Sequence, residues 1–147
     1  MAGERPMQGL IDAAKEGQLS VSFSDDLYVN VEEFVYIERD CQAMKDQIQE
    51  YQGIAESIAN REVWGLGDLS DWLKSGPILV GRFRAKAKGD GGGNDVHSTL
   101  QKHWDIIDGI QQLHREIASR YQQSDSEFAA KYTELMNTVP HGFQGRK

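Results

Sequence analysis

Apolar positions along the chain change their period three times, and each change marks an element. From Ser24 onward they recur at heptad spacing: Leu27, Phe34, Cys41, Ile48 and Ala55, interleaved with Ile37, Met44, Tyr51 and Ile58. That 3.5-residue stripe predicts an amphipathic helix. Ser24, Asp25 and Asp26 offer N-cap chemistry at its start, and only Gly53 weakens its interior. A helix over 24–62 is about 39 residues and roughly 58 Å long. A second stripe begins after Asn94 and Asp95: Leu100, Ile107, His114, Tyr121, Phe128 and Leu135 form one row, and Val96, His103, Ile110 and Ile117 the next. No proline intervenes before Pro140, so this helix is expected over 94–137, roughly 60 Å.

Between the stripes the periodicity fails. Val63-Trp64-Gly65-Leu66-Gly67-Asp68 reads as a chain reversal with its aromatic tucked underneath. Asp68 to Lys74 could form a short helix, and Ser75-Gly76-Pro77 starts another that continues through Lys88. Eight of the 15 glycines fall within 65–93, and the run from Gly89 to Gly93 ends that helix.

Residues 1–23 read as an arm. It offers a helical turn or two at Ile11 to Lys15, then an alternating stretch, Leu19 to Phe23, too short to be a stable strand alone. Residues 24–139 form the helical domain, with helix 24–62, insert 63–93 and helix 94–137, and 140–147 is a tail. The fold class is therefore all-α, a long antiparallel hairpin with short helices in its connecting insert. Val31, Val35, Ile106 and Leu113 widen the stripes beyond one seam, so the hairpin is expected to complete a bundle by dimerising.

Composition narrows the function classes. There are 16 Lys and Arg against 23 Asp and Glu, a net charge of −7, and mean hydropathy is −0.59. An acidic chain argues against nucleic acid or an anionic membrane as the main partner. Met1 to Leu19 holds no apolar stretch of the signal-peptide kind, and no window reaches the length of a membrane span. The expected location is cytoplasmic, or outside the cell without a cleavable signal.

Candidate chemistry is sparse. One cysteine excludes an intramolecular disulfide and a Cys-rich zinc site, and Cys41 on the stripe reads as an inert thiol. The residues three before His97, His103, His114 and His141 are Asn94, Leu100, Gln111 and Thr138, so the Glu-x-x-His pairs of di-iron bundles do not occur. His103 and His114 share a face but stand about 16 Å apart along it, too far to hold one metal. Gly89 to Asp95 lacks the Lys-Ser/Thr of a phosphate loop, and Asp90, Asn94 and Asp95 lack EF-hand spacing. The expectation is no enzyme, no catalytic residue, no metal and no cofactor. Arg82, Arg84, Lys86 and Lys88 form a basic cluster, either a solvated helix face or a dock for an acidic partner.

One constellation is more specific. Trp64-Gly65-Leu66-Gly67 lies between two long helices, and Tyr121-Gln122-Gln123-Ser124-Asp125 lies late in the second. Together they resemble the helical-hairpin proteins of type VII (ESX) secretion, the WXG superfamily and its longer actinobacterial relatives, over roughly residues 25–136. In that group a W-x-G turn joins two helices and a Y-x-x-x-D/E signal follows on the second. The glycines here stand at 65 and 67, where a strict W-x-G would place one at 66. The chain is also longer than the usual member.

The resemblance implies an exported substrate or co-secreted partner, secreted or held at the cell envelope through an uncleaved signal. It implies a homo- or heterodimer with a second hairpin, and a secretion ATPase or chaperone that reads Tyr121 and Asp125. At i, i+4 on one helix, those two side chains would emerge on the same face. The alternatives are a cytoplasmic helical adaptor, with tryptophan and tyrosine serving as core, and a module that targets a toxin by binding it in trans.

Overall fold

The computed structural model describes residues 5–19, 30–89 and 92–142. It is all-α, with no strand among the described residues. The order is α1 (Gln8–Lys15), α2 (Val31–Ala59), α3 (Ser75–Ala87), α4 (Val96–Ser124) and α5 (Ser126–Thr138). Two compact units share the long helices: one holds residues 1–45 and 105–147, the other 46–104.

The starts of α2, α3 and α4 have local causes. Asn30 Oδ1 accepts from the Glu32 amide at 3.0 Å at the head of α2. The proposed cap at Ser24 to Asp26, Leu27 and the Leu19 to Phe23 stretch beyond Leu19 lie outside the described residues. Asp95 Oδ1 accepts from the Ser98 amide at 2.9 Å, so α4 opens where the Asn94-Asp95 pair predicts. That amide holds the Asp95 carboxyl below the usual aspartate range. Pro77 sits in the first turn of α3, where a missing N–H is tolerated.

In the first unit, α2 and α4 run antiparallel. Phe34 meets His114 and Tyr121, each at 5.9 Å between ring centres, while Glu38 meets Gln111 and Arg115. α1 packs Ile11 and Ala14, both buried, and is fastened by Arg120, which donates to Ala14 O at 2.6 Å and Lys15 O at 3.0 Å. A guanidinium on those carbonyls answers the negative end of the helix. Pro6 O lies so close to Gly109 that a Cβ there would be 2.8 Å from it. The expected arm is thus, over 8–15, a docked helix.

In the second unit, Gln52 Nε2 reaches Gln101 Oε1 at 3.1 Å and His97 O at 3.3 Å, so α2 and α4 are antiparallel here too. The short helix expected over 68–74 is absent; those residues form turns and bends. Ser70 Oγ accepts from the Trp72 and Leu73 amides, and Asp68 accepts from amides upstream of it. These side chains take up N–H groups with turn geometry.

Two further sequence expectations change. The buried side of α2 is not the row of Met44, Tyr51 and Ile58, which are exposed. It combines Val35, Ile48 and Ala55 with a second row, Val31, Glu38, Lys45 and Gln52, of which Glu38 is partly covered and the others buried. Three members of that row are polar, and each finds a partner on α4. A buried polar row is tolerable when its groups are satisfied, but it is invisible to an apolar pattern. On α4, likewise, Gln111 and Ala118 are buried, whereas Val96 and His103 are exposed. The second change is that the helix expected over 94–137 is divided at Asp125.

Candidate functional site

The break at Asp125 falls inside the proposed Tyr-x-x-x-Asp signal. Asp125 has φ −135° and ψ 110°, outside the helical region, and its carboxylate accepts from the Glu127 amide at 2.9 Å and the Phe128 amide at 3.1 Å. It is the N-cap of α5. Ser124 Oγ bonds back to Arg120 O and Tyr121 O, which also ends α4.

Tyr121 belongs to an aromatic cluster, 5.3 Å from Phe128 and 5.9 Å from Phe34 between ring centres. Burial pushes its phenol up from the ordinary value. The two residues therefore do not project from one uninterrupted helical face. Each has a structural role: the tyrosine ring in the cluster, the aspartate at the cap.

This separates two roles for Asp125. Asp125→Ala is expected to destabilise the chain by about 1 kcal/mol, whereas Asp125→Asn, which still accepts from the N2 and N3 amides, should cost a few tenths. Urea unfolding of the two variants checks this. Equal losses would mean that the carboxylate charge, not the cap, holds α5.

Residues 65–69, after the end of α2, form bends and a turn. Gly65 and Gly67 have φ +71° and +76°, the left-handed region that favours glycine. The turn thus needs glycine on both sides of Leu66. Asp68, not among the sequence candidates, organises it: its carboxylate accepts from the Trp64 amide at 3.0 Å and the Leu66 amide at 3.2 Å. The Trp64 amide is the main reason that the carboxyl's pKa is lowered. Trp64 stacks on Phe83 of α3, 5.8 Å apart and 8° from parallel, and donates through Nε1 to Arg61 O at 3.1 Å. An Asp or Asn just after a glycine turn is the signal that would have found Asp68.

The basic cluster is not uniform. Arg84 Nη2 donates to Arg61 O at 2.5 Å and Glu62 O at 3.1 Å, tying α3 to the end of α2. Lys86 reaches Asn94 O at 3.3 Å, and Lys88 pairs with Glu56. Among the described residues Arg82 has no such partner, and it lines an open groove with Leu66, Ser75, Gly76, Ile78 and Leu79.

Other candidate chemistry stays muted. Cys41 is free and half-buried, and burial, then Glu38 and Asp40, raises its pKa, which disfavours the nucleophilic thiolate. His114 is half-buried against the edge of Phe34, and burial lowers its pKa, so the neutral ring is favoured. His103 is exposed. Among the described residues no group of three or more His, Cys, Asp or Glu is placed to hold a metal ion. No helix there is long and apolar enough to cross a membrane.

The most distinctive surface is apolar. Most of the exposed large apolar side chains belong to residues 46–104, led by Trp72 at 92% and Leu69 at 75% exposure. Tyr51, Ile54 and Ile58 add an exposed row on α2. The fold and this surface define the chain as an all-α hairpin protein with uncovered apolar rows. Comparison with protein-family models, with curated proteins and with solved structures finds no match.

Proposed function

We propose that this chain is a non-enzymatic helical-hairpin protein that works by binding a second helical protein, and that it is a type VII secretion substrate or co-secreted partner. One observation carries the binding half: Tyr51, Ile54 and Ile58 form an exposed apolar row at helical spacing on α2, to one side of the row that meets α4. Such a row on an amphipathic helix is what a partner hairpin covers in a bundle. The export half is supported by the Trp64 turn following the first long helix and by Tyr121 and Asp125 at the end of the second.

A cytoplasmic helix-binding protein is the second reading. It is favoured by the structural employment of both signal residues, the tyrosine in a cluster and the aspartate as a cap.

The test compares culture filtrate and cell pellet in a host with a working type VII system. It uses Tyr121→Phe and Asp125→Asn, which keep the ring and the cap, and not alanine variants, which damage the fold. If the signal reading is right, the paired variant stays in the pellet with unchanged helicity while the parent chain reaches the filtrate. Export of the paired variant at the parent level would remove the signal assignment. A parent chain found only in the pellet would support the cytoplasmic reading.

A further inference from the structure

We propose that the groove between the Trp64–Asp68 turn and α3 is a second docking site, one that takes an acidic amphipathic helix from another protein. An apolar anchor of that helix enters between Leu66, Ile78 and Leu79, and a carboxylate one turn further along meets Arg82.

The groove exists because of Gly76. Its position lies so close to the turn that a Cβ would sit 2.5 Å from Gly67 O and 2.8 Å from Leu66 O. With only hydrogen there, the head of α3 closes onto the turn and leaves a concave space of about 310 Å³ lined by Leu66, Ser75, Gly76, Ile78, Leu79 and Arg82. That space is large enough to admit an apolar side chain. Arg82 stands four residues after Ile78 and three after Leu79, so its guanidinium lies one turn along the same face.

Charge selects the occupant. Residues 72–89 carry five of the chain's Lys and Arg and none of its Asp and Glu. Arg84, Lys86 and Lys88 are engaged within the unit, which leaves Arg82 as the cation of this groove that a partner can pair. A second copy packing α3 on α3 would bring like charges together, which costs affinity. A lipid surface fits less well, because the lining forms a hollow that a helix side chain can enter and a flat bilayer cannot follow. An acidic helix matches both the hollow and the sign.

This surface goes beyond the export reading and survives its failure, since it involves neither Tyr121 nor Asp125. The experiment uses the full chain and fluorescently labelled synthetic amphipathic helices. These share a leucine-rich anchor face and differ only in whether the flanking positions are Glu, Gln or Lys. Anisotropy titration should show the Glu probe binding about tenfold more tightly than the Lys probe. Added salt should narrow that gap.

Arg82→Glu should reverse the preference, and Leu79→Ala should weaken every probe. Both sites are exposed, so circular dichroism should be unchanged. Equal binding of all three probes, or an Arg82→Glu variant that behaves like the parent, overturns the proposal. So does capture by phosphatidylserine vesicles, reported by a shift in tryptophan emission that the Glu probe does not displace. Self-association lost in Arg82→Glu, with no probe binding, would assign the groove to a second copy instead.

Discussion

Truncating Phe128 to alanine is expected to destabilise the chain by about 3–5 kcal/mol. Phe128 is only 4% exposed and is the centre of the aromatic cluster. Its ring lies 5.7 Å from Phe34 at 82°, 5.3 Å from Tyr121 at 34°, and 5.9 Å from Tyr132 in a near-parallel stack. Removing it deletes the buried surface that docks α5 and leaves a cavity faced by three rigid rings. Those rings have little freedom to collapse inward, which places the loss toward the upper part of the range. Urea unfolding followed by circular dichroism measures it. A loss below about 1 kcal/mol would mean that α5 is held by its Asp125 cap alone.

The same cluster decides how an export experiment must be designed. Tyr121→Ala opens part of this cavity, so a failure to export would be ambiguous between a lost signal and a damaged fold. Tyr121→Phe keeps the ring against Phe34 and Phe128 and removes only the hydroxyl. Burial already raises the Tyr121 pKa, so the phenol is neutral in the native state and no charge is lost with it. Asp125→Asn does the corresponding thing at the cap.

What the sequence made legible follows from the kind of signal each element carries. The starts of α3 and α4 were readable because Pro77 and the Asn94-Asp95 pair act locally, within one turn of chain. The tryptophan turn was readable for the same reason: Gly65 and Gly67 are needed by the backbone itself. The helical seam was only half readable. Phe34, Ile48 and Ala55 announce one row, but Glu38, Lys45 and Gln52 belong to the other and look like solvent positions until their partners on α4 are known.

The break at Asp125 was hidden because neither Pro nor Gly marks it. The apolar period from Ile107 through Leu135 passes straight through. There, Ser124 and Asp125 offer the backbone side-chain bonds that compete with a continuous helix. The docking of α1 depends on Arg120 and Gly109, which lie about a hundred residues away in sequence, and no local pattern could report it.

The polar row also sets the second large effect. Asp108→Ala is expected to cost about 3–5 kcal/mol, because it removes the carboxylate from a buried ammonium. Lys45 is 8% exposed and donates to Asp108 Oδ1 at 2.8 Å, while Gln112 Nε2 donates to Asp108 Oδ2 at 2.7 Å. Removing both charges together is a different perturbation. Lys45→Met with Asp108→Leu restores volume without a buried ion, and should recover most of the loss.

A double-mutant cycle by thermal unfolding would then give a large coupling term. If the joint variant were as unstable as Asp108→Ala alone, the pair would be stabilising on balance and not merely costly to break. If stability returns, the pair's value lies in register. Glu38 with Gln111, Lys45 with Asp108 and Gln52 with Gln101 fix how α2 and α4 align within each unit. The joint variant should therefore keep its helicity yet associate more readily with itself, because a seam with one fewer polar pair discriminates less between its own helix and another copy's. Sizing across a concentration series reads that directly, and a strictly monomeric joint variant from a monomeric parent would show that the apolar rows alone set the alignment.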